Sequence, residues 1–147
     1  MVSSRLRALK VMVPGLLVLL ALQYELGMAV NISNPPQLAP IALSSALFPD
    51  YLRQAGGQAV AHAVVGSVVG IISLITLILS LRSEVRGVQI FGVLAFLAVA
   101  LAGITGSLFV SSGFQNDGYS HGMATNFILS FAFYFLELYT LKPGPKT

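Results

Sequence analysis

The sequence contains two histidines, and each lies where a polar segment meets an apolar one. His62 occurs in GGQAVAHAVVGSVVG, and His121 occurs in SSGFQNDGYSHGMATNFILSFAFYF. Neutral imidazole binds haem iron, and two histidines on facing helices can bind it from both axial sides. Because the chain has no cysteine, it has no CxxCH attachment sequence, and such a haem is of the non-covalent b type. The pattern predicts His62 and His121 as the metal ligands of haem b.

A third ionisable residue, Glu25, has a similar predicted depth. Glu25 and His62 each lie about one helical turn inside the predicted membrane boundary, and His121 lies at the entry of the last apolar segment. Ionisable side chains inside a span are costly and usually functional, so we expect Glu25 to bond a haem propionate or tune the haem potential. The alternative is one zinc, iron or copper ion bound by these residues and Asp117, although no HExxH spacing exists. No GxSxG sequence is present either, and no catalytic residue is predicted.

Small residues follow His62 at helical spacing. Gly66 and Gly70 stand four and eight residues after it, so the three share one helix face. In the next apolar segment, Gly103 and Gly106 lie toward the same predicted membrane surface. These four glycines are predicted to give a flat macrocycle room beside the helices. Close helix packing is the alternative explanation, because small residues have that role in membrane bundles generally.

The composition places these residues in a membrane protein. Hydrophobic residues make up 56% of the chain, charged residues 9%, and the mean hydropathy is +0.85, which leaves too little polar surface for a soluble globule. Spans of about 20 apolar residues are predicted at about 11–30, 59–81, 88–110 and 122–141, with an outer loop at 31–57. The predicted fold is an all-α integral membrane protein, a four-helix transmembrane bundle in up-down-up-down order, as a single domain over 1–147. A signal peptide ending near LGMA is the alternative for the first span.

Basic residues at the segment ends predict the orientation. They are Arg5, Arg7 and Lys10 before the first span, Arg82 and Arg86 between the second and third, and Lys142 and Lys146 after the fourth. The positive-inside bias then predicts both termini in the cytoplasm of a prokaryote, in whose cytoplasmic membrane the chain lies. The scatter of these charges argues against nucleic-acid binding. Glu137, near Lys142, is expected to be an interfacial charge.

The loop 31–57 has its own pattern. It contains four prolines around an apolar middle at about 41–48, which is too short to cross a membrane. A short helix there is expected to lie over the outer mouth of the bundle.

Four stretches carry a resemblance, and they are LQYELGMAVNI, HAVVGSVVGIISLI, AGITGSLFVSSG and YSHGMATNFILSFAFYFLELY. They resemble small four-span membrane proteins of archaea and bacteria, a likeness that implies the fold and no activity. More distantly, the plan is similar to one half of a haem A synthase, whose four-helix units carry haem-ligand histidines on the second and fourth helices. His62 and His121 occupy those helices, and the resemblance implies haem ligation. Gln58 and Ala59 stand where that family has an acidic residue, so haem A synthesis is not implied.

The sequence thus predicts a membrane-embedded b-type haem protein for electron transfer or haem handling in a respiratory membrane, with its site at the outer end. The alternative is a non-catalytic accessory subunit that binds other subunits of a larger respiratory complex or forms a homo-oligomer. The lipid bilayer is the one partner common to both.

Overall fold

The computed structural model describes residues 2–32 and 38–141. Within these ranges the chain forms five α-helices and no strand, which confirms the all-α prediction. The helices are α1 Val2–Ile32, α2 Phe48–Gln54, α3 Gly57–Leu81, α4 Arg86–Ser111 and α5 Asp117–Thr140.

The four long helices form a ring in which α1 and α4 each contact both α3 and α5. Neighbours run antiparallel: along α4 and α5, for example, Gly87 lies at Thr140, Gly92 at Glu137 and Gly106 at Met123. We name the two ends of this bundle by their connections. The turn end carries residues 82–85 between α3 and α4, and the cap end carries residues 38–56 and 112–116.

Three of the described helices, not the predicted four, are long and apolar enough to cross a membrane. They are Ser4–Ile32 within α1, Gly57–Leu81 and Arg86–Ser111. With 24 residues, α5 is long enough, but it carries Asp117, His121, Asn126 and Glu137 along its length. These polar side chains keep its most apolar stretch below the hydropathy expected of a membrane span.

Two helices begin earlier than predicted. The first runs from Val2 rather than from about residue 11, because good helix formers continue it through the basic segment. The last begins at Asp117 rather than at 122, because the Asn116 side chain accepts hydrogen bonds from the backbone N–H groups of Gly118 (3.0 Å) and Tyr119 (3.4 Å). Polar residues that look like loop in the sequence therefore form the first turn of α5.

The short helix of the loop predicted at 31–57 is α2, and it follows rather than occupies the predicted 41–48. Pro49 lies in its first turn, a position that proline favours. The preceding chain is held to the end of α4, since the Ile41 N–H donates to the Ser111 carbonyl at 2.9 Å. Gln115 Nε2 also donates to the Leu38 carbonyl at 3.0 Å. Residues 38–56, the cap, thus cover this end of the bundle as predicted.

The apolar core lies mainly in the half of the bundle near the turn end. Leu9, Val13 and Leu16 of α1 are fully buried there against Val88 of α4 and Tyr134 of α5. Because lipid is as apolar as these side chains, helices of a membrane bundle are held together by close van der Waals packing rather than by removal of apolar surface from water. The tight half of the molecule is therefore the one that contains the chain's short α3–α4 turn.

Candidate functional site

A cavity of about 580 Å³ lies at the cap end, within the size range of small-molecule sites. All four long helices line it, and Leu52 and Phe114 lie on its cap side. The lining is mostly apolar or glycine. Such a space accommodates a lipophilic molecule and gives little support to a strongly charged one.

The α1–α3 wall of this cavity is a reciprocal contact between two polar side chains and two glycines. A Cβ on Gly27 would lie 3.1 Å from Cε1 of the His62 ring, and a Cβ on Gly66 would lie 2.9 Å from Nε2 of Gln23. The His62 ring thus packs onto Gly27, which lies one turn after Gln23 on α1. The Gln23 side chain packs onto Gly66, which lies one turn after His62 on α3. We call these four residues the α1–α3 clasp.

Hydrogen bonds fix the tautomer within the clasp. Gln23 Nε2 lies 3.0 Å from the His62 carbonyl and 3.1 Å from His62 Nε2, and it can donate one N–H to each. His62 Nε2 is then an acceptor, which assigns the ring proton of neutral His62 to Nδ1. Both His62 Nδ1 and Gln23 Oε1 are buried and lack a hydrogen-bond partner within the described residues.

The opposite wall, α4–α5, is closed in the same manner. A Cβ on Gly106 would lie 3.0 Å from the Met123 sulfur, and a Cβ on Gly122 would lie 3.3 Å from Thr105 Cγ2. At the cap end the bundle therefore consists of two tight helix pairs, α1–α3 and α4–α5. The cavity lies between these pairs.

The two flanks between the pairs differ. On the α1–α5 flank, the rings of Tyr24 and Phe127 approach with centroids 5.7 Å apart. On the α3–α4 flank, Ser67 and Gly103 both line the cavity and are exposed, and no atom lies within 4 Å of a Cβ position at Gly103. Met28 and Ile128 also line the cavity and are exposed on the α1–α5 flank, so the cavity is open on both flanks, and the α3–α4 flank has in addition the free space at Gly103.

The structure brings together some of the sequence-predicted site residues. His62, Gly66, Gly103 and Gly106 line the cavity. The remaining ones do not line it: Glu25 and His121 are exposed on the surfaces of α1 and α5, and Gly70 lies outside the lining. His62 is therefore the histidine of the cavity, and Gln23 rather than Glu25 is its α1 neighbour.

A second polar feature, at the turn end, joins α3 to α5. Six polar side chains are buried along this contact with no exposed surface, and they are Ser73, Thr76, Ser80, Ser130, Tyr134 and Glu137. We call them the polar seam. Ser130 also lines the cavity, so the seam begins where the cavity ends.

Two hydrogen bonds cross the seam. The Ser73 hydroxyl lies 2.5 Å from the Tyr134 hydroxyl, and the Ser80 hydroxyl donates to Glu137 Oε1 at 2.5 Å. Gly92 makes the second contact possible, because a Cβ there would lie 2.6 Å from Ser80 Cβ. Glu137 Oε2 is buried without a hydrogen-bond partner within the described residues.

The expectation that Glu137 is an interfacial charge is therefore wrong. Its side chain is fully buried, since it lies on the face of α5 that packs against α3 and α4. The spacing of the seam residues could have indicated this. Ser73, Thr76 and Ser80 repeat at three and four residues within an otherwise apolar helix, which is the period of one buried face.

No group of three or more His, Asp or Glu side chains within residues 2–32 and 38–141 is placed to hold a metal ion. Comparisons with protein-family models, with curated proteins and with solved structures find no match. The features of the described residues that bear on function are therefore the cavity and the polar seam.

Proposed function

We propose that this protein is a membrane-embedded binding protein that takes a lipophilic molecule into the cap-end cavity. The observation that carries the proposal is the cavity itself, of about 580 Å³ and with a mostly apolar lining. A packed membrane bundle has no need of such a space, because empty volume forfeits dispersion contacts on every wall. An apolar occupant restores those contacts.

In this proposal all four long helices cross the bilayer, and the cap end faces the outside. Basic residues collect at the opposite end, where Arg5 of α1 donates to the Arg82 carbonyl at 3.2 Å. The positive-inside bias assigns that end to the cytoplasm. The polar side chains of α5 support its inclusion, since the fully buried ones face the neighbouring helices rather than lipid.

The open α3–α4 flank gives the ligand a lateral route from the outer leaflet. Gly103 leaves space there, and Leu52 of the cap and Phe114 of the α4–α5 loop line the end of the cavity that faces the aqueous side. A molecule dissolved in lipid enters without crossing water, so the ligand class is an acyl, isoprenoid or other largely hydrocarbon compound.

Native mass spectrometry of the detergent-released protein tests the proposal. The wild type is expected to carry an extra mass of one lipophilic molecule, and Gly103→Phe, which fills the cavity, is expected to lose it. Gly15→Phe is the matched control, because Gly15 is exposed, has open space around it and lies outside the cavity. An unloaded wild type, or equal loading of the wild type and Gly103→Phe, would contradict the proposal.

Haem b is the second candidate occupant, favoured by the presence of His62 with Gly66, Gly103 and Gly106 around one cavity. Haem iron bound at His62 requires that ring to leave the Gln23 hydrogen bond or to bind through Nδ1. A reduced-minus-oxidised spectrum of the protein beside His62→Ala and His121→Ala tests it. Absorption bands lost in both variants would indicate bis-histidine ligation, and bands lost only in His62→Ala would indicate one axial histidine. A colourless wild type would exclude haem as the occupant.

A further inference from the structure

We propose that Glu137 is a reversible proton-binding site in the polar seam, and that the Ser80 hydroxyl forms a hydrogen bond with Glu137 in both its charged and its protonated state. The site lies at the turn end and is separate from the cap-end cavity. It does not depend on the proposed ligand.

Glu137 is an acidic residue with no cationic partner among residues 2–32 and 38–141. Its side chain is fully buried, and no ion pair among the described residues includes it. The groups around it are Ser80 from α3, Gly92 from α4 and, one turn earlier on its own helix, Tyr134. From α1, the residues buried at this end are Leu9 and Val13.

On α1 at this end, Arg5 donates to the Arg82 carbonyl, and Arg7 and Lys10 are exposed. Tyr134 is therefore the one other titratable group of the described residues that faces Glu137 in the seam. Ionisable groups held in this way inside a membrane bundle usually have a function.

The hydrogen bonds of Ser80 explain how one arrangement accommodates two charge states. Its Oγ lies 2.5 Å from Glu137 Oε1 and 2.8 Å from the Thr76 carbonyl, but a hydroxyl has a single proton to donate. When Glu137 is a carboxylate, Ser80 donates to Oε1. When Glu137 is an acid protonated on Oε1, that O–H donates to Ser80 Oγ, and the Ser80 O–H turns to the Thr76 carbonyl.

The change needs rotation of one hydroxyl and no movement of a heavy atom. One proton from water forms one O–H bond on Oε1, and the carboxylate loses its single negative charge. Glu137 lies three residues from the last residue of α5, Thr140, so the end of the helix is about 5 Å away along the helix axis. Proton uptake thus changes the charge at the contact between α3 and α5.

Infrared difference spectroscopy across a pH series tests this site in the full chain. The wild type is expected to show a carboxylic-acid C=O band that falls as the carboxylate bands grow and that shifts in D₂O. Glu137→Gln is expected to lose this band, and Glu25→Gln, at an exposed position, to keep it. A Glu137 signal that stays entirely acid or entirely carboxylate at every pH at which the protein is folded would overturn the proposal.

Ser80→Ala keeps the carboxyl group and removes the hydroxyl, so it tests the site even where Glu137→Gln does not fold. The C=O band is expected to move to higher frequency, because the acid has lost its hydrogen-bond acceptor. A band with the frequency and pH dependence of the wild type would show that Ser80 does not serve the acid form.

Discussion

The two ends of the bundle use glycine in opposite ways. At the turn end, Gly92 of α4 leaves room for Ser80 and Glu137 to meet, and so it joins α3 to α5 across the bundle. At the cap end, Gly27 and Gly66 tighten only the α1–α3 pair, and Gly106 and Gly122 tighten only the α4–α5 pair. A glycine that lets the α1–α3 and α4–α5 pairs contact each other gives a solid core. Glycines that bring helices together only within a pair leave a cavity between the two pairs.

This difference assigns separate roles to the two ends. The turn end holds the helices together through apolar burial and the hydrogen bonds of the polar seam. The cap end, with its cavity and open flanks, is the part that can exchange a ligand. The packed turn end thus stabilises the fold, so the cap end can contain an open cavity.

The largest expected effect is at the turn end. Gly92→Leu places a side chain where even a Cβ is 2.6 Å from Ser80, and such overpacking should destabilise the fold by about 3 kcal/mol. Thermal unfolding in detergent measures it. Gly103→Leu, in open space at the cap end, is the comparison and should unfold near the wild-type temperature. Equal destabilisation by Gly92→Leu and Gly103→Leu would show that the two ends of the bundle are packed equally tightly.

Tyr134→Phe comes next. It deletes one hydroxyl of the Ser73–Tyr134 bond and leaves the buried Ser73 hydroxyl without that partner, which should cost about 2 kcal/mol. Tyr24→Phe is the control, since Tyr24 is half exposed and its ring contact with Phe127 needs no hydroxyl. The same free energy of unfolding in the two variants would show that the Ser73–Tyr134 hydrogen bond does not stabilise the seam.

Gln23→Leu tests the α1–α3 clasp with a smaller expected effect. It keeps most of the side-chain volume over Gly66 but removes both hydrogen bonds to His62. We expect a loss of about 1 kcal/mol, because each bond makes a modest net contribution and His62 can turn toward the cavity. The measurement is again thermal unfolding, and a loss as large as that of Gly92→Leu would show that the cap end is as tightly determined as the turn end.

The smallest effect is expected in the cap. The Tyr51 hydroxyl donates to the Ala39 carbonyl at 2.7 Å, so Tyr51→Phe should loosen the cap locally by about 0.5–1 kcal/mol. Hydrogen exchange should rise in residues 38–56 and stay unchanged in α3 and α4. Faster exchange throughout the bundle would show that the cap is part of the global fold.

The sequence predicts the apolar helices well because their hydropathy alone determines them. The predicted spans 59–81 and 88–110 agree with α3 and α4 to within two residues at each end. For α5 the predicted span 122–141 misses the first turn, because the polar residues from Asp117 to His121 look like loop. Hydropathy reports what lipid tolerates, and α5 is held by its contacts with neighbouring helices.

Side-chain direction explains why only some of the predicted site residues line the cavity. His121 and Glu25 share a predicted depth with His62, yet both are exposed, because a rotation of one residue turns a side chain by about 100°. Depth alone could not choose between Glu25 and Gln23, which are two residues apart on α1. The expectation for Glu137 is wrong because it considers only position along the helix. A residue near a helix end is not interfacial when its face of the helix packs against other helices, as the Glu137 face of α5 does.

Xenon binding tests the central claim, that the cap end contains an apolar cavity and the turn end does not, most directly. Xenon occupies dry apolar cavities, so crystals of the delipidated protein under xenon pressure should show it between the two helix pairs. No xenon is expected around Leu9, Val13 and Leu16, and Gly103→Phe should abolish the site at the cap end. Xenon absent from the cap end, or bound equally in the turn-end core, would contradict the account.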